Sequence, residues 1–357
     1  MEELDTWLDS LQCPDCQSPL ITNDGSAERL CCSGCSRILL RTRGIWNLLP
    51  SSISNLDGKE AEKEGWCKKT EEDKQTGWTP PPEFYLALPY IEHHYYTPSA
   101  RYLDIVLEYG KPWSGKKVLE LGAAECWATR HFVQAGAEAV ALDYDDDENR
   151  MGKGQILLDH LSMHFLRVAG DAECLPFDDS TFDTIFCASV IHHFFDLPQA
   201  AREISRVLKP GGTLFAIHEA FHPPYYTEKK GLEWNEENVK NLAVGIHERS
   251  YTAGFYRKIF RKAGLKLDLI NPRWDTRSEG TSLIAKPGAG LFGNRHFVPE
   301  ILNSRSSRKG PVGWIARLLL ASQIWKIATS PLVFPLIRFQ ILNWTQRPKI
   351  IVAKKYV

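Results

Sequence analysis

From about Pro82 onward the chain alternates short apolar runs with stretches of helical spacing, and the runs end on glycine or aspartate. Residues 117–121 (KVLEL) stop at Gly122, 139–142 (AVAL) at Asp143, and 166–169 at Gly170-Asp171. Residues 184–188 (TIFCA) follow, and 213–217 (TLFAI) come after Gly211-Gly212. Between the last two runs Leu197, Ala201, Ile204 and Leu208 recur at helical spacing behind Asp196, a residue suited to cap a helix start. Strand, helix, strand at this spacing predicts right-handed crossovers and a parallel sheet, hence an α/β fold. Residues 265–270 (LKLDLI) and 349–355 (KIIVAKK) read as a final hairpin. The 78 residues between them, 271–348, are apolar, basic and Trp-containing, so they read as an inserted subdomain rather than a loop.

A chain of 357 residues has room for two or three domains, and 43% hydrophobic with 24% charged residues excludes wholesale disorder. The formal charge of −1 conceals an asymmetry: residues 301–357 hold ten Lys or Arg and no Asp or Glu, leaving −11 on the first 300 residues. A basic segment rich in tryptophan (Trp314, Trp325, Trp344) suits helices that cover the sheet or a dimer partner, peripheral contact with an anionic membrane, an amphiphilic substrate or, less well, RNA phosphates. Its apolar stretches are broken by Arg317, Lys326 and Arg338, so none reaches the ~18 residues of a spanning helix. The start, MEELDTWLDSLQ, is acidic and unlike a secretory signal. The expectation is a cytoplasmic protein, peripheral at the membrane at most, with reduced thiols.

Five of the nine cysteines fall in the first 50 residues. Cys13-Pro14-Asp15-Cys16 and Cys32-Ser33-Gly34-Cys35 form two CxxC pairs with 15 residues between them. Such pairs bring four thiolates to the corners of a tetrahedron, which predicts a closed structural zinc site; Cys31 is the alternative third ligand. Three segments follow: a zinc ribbon over 1–50, a polar linker over 51–82 ending in three prolines, and the α/β domain over 83–357 with its insertion at 271–348.

The run Val118-Leu119-Glu120-Leu121-Gly122-Ala123-Ala124-Glu125-Cys126 is a strand entering a turn of small residues, where backbone can approach a ligand closely. Asp143 stands 21 residues beyond Gly122, where a carboxylate accepts hydrogen bonds from ribose hydroxyls. Downstream come Gly170-Asp171-Ala172-Glu173-Cys174-Leu175-Pro176-Phe177, Ser180-Thr181-Phe182-Asp183, Ser189-Val190-Ile191-His192-His193 and Arg206-Val207-Leu208-Lys209-Pro210-Gly211-Gly212. This succession over residues 115–270 resembles the class I S-adenosylmethionine-dependent methyltransferases, in the type 11-like branch that acts on small molecules.

The resemblance implies a Rossmann-like sheet and S-adenosylmethionine as cofactor. It also implies that Glu120, Gly122 and Ala124 border the methionine end, Asp143 the ribose, Asp171 and Ala172 the adenine, and Ser189 the methyl group. The turn departs from the usual pattern, since Ala124 and Cys126 stand where glycine is typical; alanine fits there if φ stays negative and Cys126 already lies in the helix. The ribbon, ending in Gly44-Ile45-Trp46-Asn47-Leu48-Leu49-Pro50, resembles those fused to or partnering methyltransferases of RNA or protein factors, the bacterial rRNA guanine methyltransferases included.

Methyl transfer needs alignment and, for some acceptors, a base. His192 and His193 follow the fourth strand of the α/β domain, and His218 and Glu219 end the fifth, so these four are the catalytic candidates. The first reading is therefore a methyltransferase acting on a small-molecule, lipid-linked or glycan-pathway substrate. An RNA methyltransferase is the second, disfavoured because Ala188-Ser189-Val190-Ile191 stands where many amino-methylating enzymes of nucleic acids have an NPPY-type tetrapeptide. A non-catalytic scaffold retaining the fold is the third.

Overall fold

The computed structural model describes residues 2–22, 28–233, 235–270 and 349–356. The insertion at 271–348, with the tryptophan-rich part of the basic segment, lies outside the described residues. The strands are β1 (Leu20–Ile21), β2 (Arg29–Cys32), β3 (Ile38–Thr42), β4 (Ile45–Asn47), β5 (Lys117–Leu121) and β6 (Glu138–Asp143). They continue with β7 (Leu166–Ala169), β8 (Phe182–Ala188), β9 (Leu208–Ile217), β10 (Leu265–Ile270) and β11 (Ile350–Lys355). All eleven belong to one sheet, ordered β1-β2-β3-β4-β7-β6-β5-β8-β9-β11-β10.

β5 to β9 run parallel, and β11 is antiparallel to both β9 and β10, with Leu265 opposite Lys355. β7 is buried at every position and β5 at all but the first, as expected for central strands covered on both faces. One face packs on helices Leu197–Val207 and Ala253–Lys262, and the other on Tyr96–Tyr109, Trp127–Gln134 and Gly154–Leu161. Asp196 caps the first of these, its Oδ1 accepting from Gln199 N at 2.9 Å. The expected α/β sheet and final hairpin are both present. Strand order reverses between β5 and β8, and the crevice beyond their carboxyl ends is where open α/β sheets bind ligands.

The amino-terminal module is continuous with this sheet. β4 lies parallel to β7, with Trp46 opposite Val168 and Asn47 opposite Ala169, so the module covers what would otherwise be an open edge. Trp7 stacks on Phe182 at 5.5 Å, and Gln12 N donates to Pro176 O at 3.1 Å, fixing the module to the loop after β7.

The stretch 51–82, polar enough to read as a connector, contains the 20-residue helix Leu56–Gln75. It docks closely: a Cβ on Gly65 would lie 2.7 Å from Ile246 Cγ1 and 2.9 Å from Val244 O. Among the described residues no helix is long and apolar enough to cross a membrane.

Candidate functional site

Glu120 is buried near the end of β5 and accepts a hydrogen bond from Thr129 N at 2.6 Å and another from the Thr129 hydroxyl. Burial nevertheless raises its pKa to about 8. Gly122 follows with φ +63°, and a Cβ there would meet Val190 Cγ2 at 2.4 Å, so both conformation and space demand glycine. The next positions correct the expectation from sequence. Ala124 has φ +42° and Cys126 φ +60°, and Cys126 caps helix Trp127–Gln134 from outside it. The turn keeps a backbone suited to glycine while carrying side chains, at a cost of roughly 1–2 kcal/mol per residue.

Asp143, ending β6, accepts from Ala124 N at 2.8 Å through Oδ2 and from Asp145 N at 2.9 Å through Oδ1. An ionised carboxylate has about four lone-pair sites, so each oxygen retains capacity for a ribose hydroxyl. Asp171, just past β7, accepts from Glu173 N through Oδ1 and pairs with Lys59 Nζ at 2.7 Å through Oδ2. The same ammonium reaches Glu173 Oε2 at 2.9 Å, and all three side chains are almost fully buried. Ala172 is partly buried against the core beneath.

Lys59 comes from helix Leu56–Gln75, which passes the ends of three successive strands. After β6, Tyr144 donates to Glu60 Oε1 at 2.8 Å and Lys63 to Asp146 Oδ1 at 2.9 Å. After β7 stand Asp171 and Glu173, and after β8 His193 Nδ1 lies 3.0 Å from Glu62 Oε1. Arg150, whose charge is held by neighbouring Asp143, Glu125 and Asp145, stacks over Trp66 of the same helix at 4.7 Å. Lys59, Glu62 and Arg150 carried no signal in the sequence, since each sits in a polar stretch with no motif around it.

Ser189 and His218 directly follow β8 and β9, both in the left-handed region at φ +57° and +58°. Tyr95, from the aromatic run before the α/β domain's first strand, places its hydroxyl 3.4 Å from Ser189 Oγ. Ser99 Oγ donates to Tyr95 O at 2.7 Å, so at 2.9 Å from His218 Nε2 it accepts from that ring. The His218 ring lies between Tyr95 and Tyr102, and burial lowers its pKa to about 4, leaving it neutral. Glu219 is spent on the backbone: Oε1 accepts from Val190 N and Ile191 N, and Oε2 from His192 N.

His192 donates from Nδ1 to Glu219 Oε2 at 2.8 Å, and His193 from Nδ1 to His247 O at 2.6 Å. Burial works against the charged form of His193, but the hydrogen bond and charge of Glu62 outweigh it and bring the pKa to about 9. The four catalytic candidates are thus neighbours, yet His218 and Glu219 hold structure while His192 faces Glu248 and His193 faces Glu62.

In the amino-terminal module the Sγ atoms of Cys13, Cys16, Cys32 and Cys35 all lie within 4.8 Å of one another. The two knuckles repeat the same turn: Gln17 N donates to Cys13 O and Ser36 N to Cys32 O, with φ +60° at both Gln17 and Ser36. Cys16 and Cys32 are 3.3 Å apart and Cys13 and Cys35 3.7 Å. Thiolates about 2.3 Å from a tetrahedral zinc are about 3.8 Å apart, so the set fits that ion. Gly34 N and Cys35 N both donate to Cys32 Sγ, whereas Cys31 Sγ bonds to backbone at Cys32 O.

Residues 119–216 match the family described as a methyltransferase domain. A demethylmenaquinone methyltransferase of Streptomyces griseus is 38% identical over 112 residues, covering 31% of this chain and 45% of that one. The ubiquinone/menaquinone biosynthesis C-methyltransferase UbiE of Idiomarina loihiensis is 35% identical over 106 residues, 29% of this chain and 42% of that one. The chain therefore spans less than half the length of these relatives. Among solved structures, the YcgJ protein of Bacillus subtilis is 19% identical with a TM-score of 0.46, over 72% of this chain and 99% of that one.

Two outcomes follow from this geometry. Lys59→Met keeps the stem but leaves two buried carboxylates without their cation, which is expected to cost ~3–5 kcal/mol in urea unfolding at neutral pH. A loss under about 1 kcal/mol would mean that the ammonium does not compensate them. His218, with its folded pKa below the ordinary ~6.5, contributes stability that is complete above that value and is lost as pH falls through about 4. The stability difference between wild type and His218→Phe should shrink over that window on acidification, and parallel pH curves would refute it.

Proposed function

We propose that this chain, whose residues 119–216 match a methyltransferase domain, transfers a methyl group from S-adenosylmethionine to a small, lipid-linked acceptor. The observation that carries the reading is the order of motifs on the sheet. Gly122, Asp143, Asp171 and Ser189 fall at the carboxyl ends of β5, β6, β7 and β8, around the point where strand order reverses. The cradle at Gly122, which a Cβ would fill, and the spare lone pairs on Asp143 suit the donor molecule. Bound S-adenosylmethionine supplies an electrophilic methyl group on a sulfonium.

In this reading Asp143 binds the ribose and Asp171, oriented by Lys59, meets the adenine edge with Ala172 beside the ring. Gly122 and Ala124 admit the methionine end, and Glu120 holds Thr129 and with it the start of the following helix. Ser189 borders the methyl group. His218 and Glu219 act as positioning residues, fixing the rim at Tyr95–Ser99 and the turn 190–192. The relatives' names support a quinone-type acceptor, while the basic, tryptophan-rich 301–357 suits an amphiphilic one at an anionic membrane surface. The amino-terminal module holds one structural zinc through Cys13, Cys16, Cys32 and Cys35.

Calorimetry with S-adenosylmethionine should give a saturable isotherm, with Asp143→Ala weakening binding at least about tenfold, or 1.4 kcal/mol. Absence of binding at millimolar concentrations would overturn the enzyme reading, and unchanged affinity in the variant the ribose assignment. Cobalt substitution should produce thiolate-to-metal charge-transfer bands that lose intensity in Cys35→Ser together with a lower melting temperature. Bands of unchanged intensity in the variant would reject Cys35 as a ligand.

A further inference from the structure

The second group of metal-type donors among the described residues is His192, His193 and Glu248, with one ligand atom of each within 4.8 Å of the others. Its charged side chains are out of solvent: His192 is 7% exposed and Glu248 2%. Both imidazoles are committed at Nδ1, His192 to the Glu219 carboxylate and His193 to His247 O and Glu62. With both Nδ1–H groups donating to these acceptors, Nε2 is the ring position left on each imidazole to ligate an ion. A carboxylate or carbonyl behind the imidazole is the usual support of a metal-ligating histidine.

Glu248 supplies the independent observation. Its Oε1 accepts from Asn241 Nδ2 at 2.7 Å, but Oε2 is buried with no hydrogen-bond partner. The nearest cationic candidate, His192 Nε2, is 3.6 Å away, too far for a hydrogen bond. An unpartnered buried carboxylate oxygen is costly, and here it faces an imidazole nitrogen across a gap of about the right width for an ion. Ligand atoms about 2.0 Å from a tetrahedral ion lie about 3.3 Å apart.

We propose that His192, His193 and Glu248 form a site for a divalent transition-metal ion of the zinc or iron(II) class, separate from the thiolate site of the ribbon. Two imidazoles and one carboxylate are donors for such ions, whereas magnesium and calcium take oxygen ligands. Three protein ligands leave a coordination position open for water or an acceptor oxygen. Glu219, Glu62 and Asn241 are the outer support, so helix Leu56–Gln75 contributes to the site through Glu62. A metal on His193 Nε2 displaces the proton at that nitrogen, while the Nδ1 proton stays on His247 O and Glu62. The site requires neither methyl transfer nor an occupied ribbon.

The test is a cobalt(II) titration of the full-length, chelator-treated protein. Two equivalents are expected, one bringing the thiolate charge-transfer bands and the other only the weaker ligand-field bands of nitrogen and oxygen donors. Glu248→Gln keeps an acceptor for Asn241 and should weaken the second equivalent at least about tenfold while the thiolate bands stay unchanged. His193→Gln should do the same. If wild type takes one equivalent with thiolate bands alone, the pocket of Glu248 Oε2 is filled by water and the proposal fails. A second equivalent of unchanged affinity in both variants would also overturn the assignment, and the wild-type stoichiometry decides the matter if neither variant folds.

Discussion

The structure depends on how negative charge is handled at the carboxyl ends of the parallel strands. Glu120, Asp143, Asp145, Asp171 and Glu173 are all buried there. A parallel sheet offers those ends little compensation beyond backbone N–H groups, and burying like charges together is strongly unfavourable. Two devices relieve this. Burial protonates Glu120 more readily, and cations from elsewhere in the sequence close over the rest: Lys59 on Asp171 and Glu173, Lys63 on Asp146, Arg150 among Asp143, Asp145 and Glu125. Helix Leu56–Gln75 is therefore held by complementary charge more than by an apolar stripe.

That explains which parts of the molecule were legible in the sequence. The strands of the α/β domain were readable because each is a buried apolar run with a turn residue behind it. Residues 117–121, 166–169 and 265–270 begin and end where the reading put them. Helix Leu56–Gln75 was not readable, because its inward residues are lysines, glutamates and glycines, the composition of a solvated linker. Nothing local marks Lys59 as the partner of an aspartate 112 residues away. The addition of β4 to β7 was equally silent, since a three-residue strand carries no register of its own. The thiolate set was legible because CxxC fixes geometry over four residues.

The candidate site adds a backbone signal that composition does not carry. Ala124, Cys126, Ser189 and His218 are non-glycine residues in the left-handed region, and all four lie just beyond strand ends on the ligand side of the sheet. Strained conformations persist only where surroundings over-determine them. Here those surroundings are visible: Asp143 accepts from Ala124 N, Ser189 N donates to Ile217 O, and Ser99 holds the His218 ring. The glycine-poor turn after β5 therefore retains the shape of a cofactor turn, which weighs against a scaffold that has lost its binding geometry.

The ribbon is better regarded as the foundation of the site than as an appended module. Gln12 N and Pro14 O bond to Pro176 O and Cys174 Sγ, tying the first knuckle to the loop 171–177. That loop carries Asp171 and Glu173, which hold Lys59; one helical turn further Glu62 of the same helix contacts His193. The contacts are contiguous from the four thiolates to the histidines beyond β8, through groups that are mostly buried and charge-paired. Loosening the ribbon would displace the carboxylates that seat the helix before it disturbed the central strands. The thiolate knuckles are thereby coupled to the groups that cover the crevice between β5 and β8.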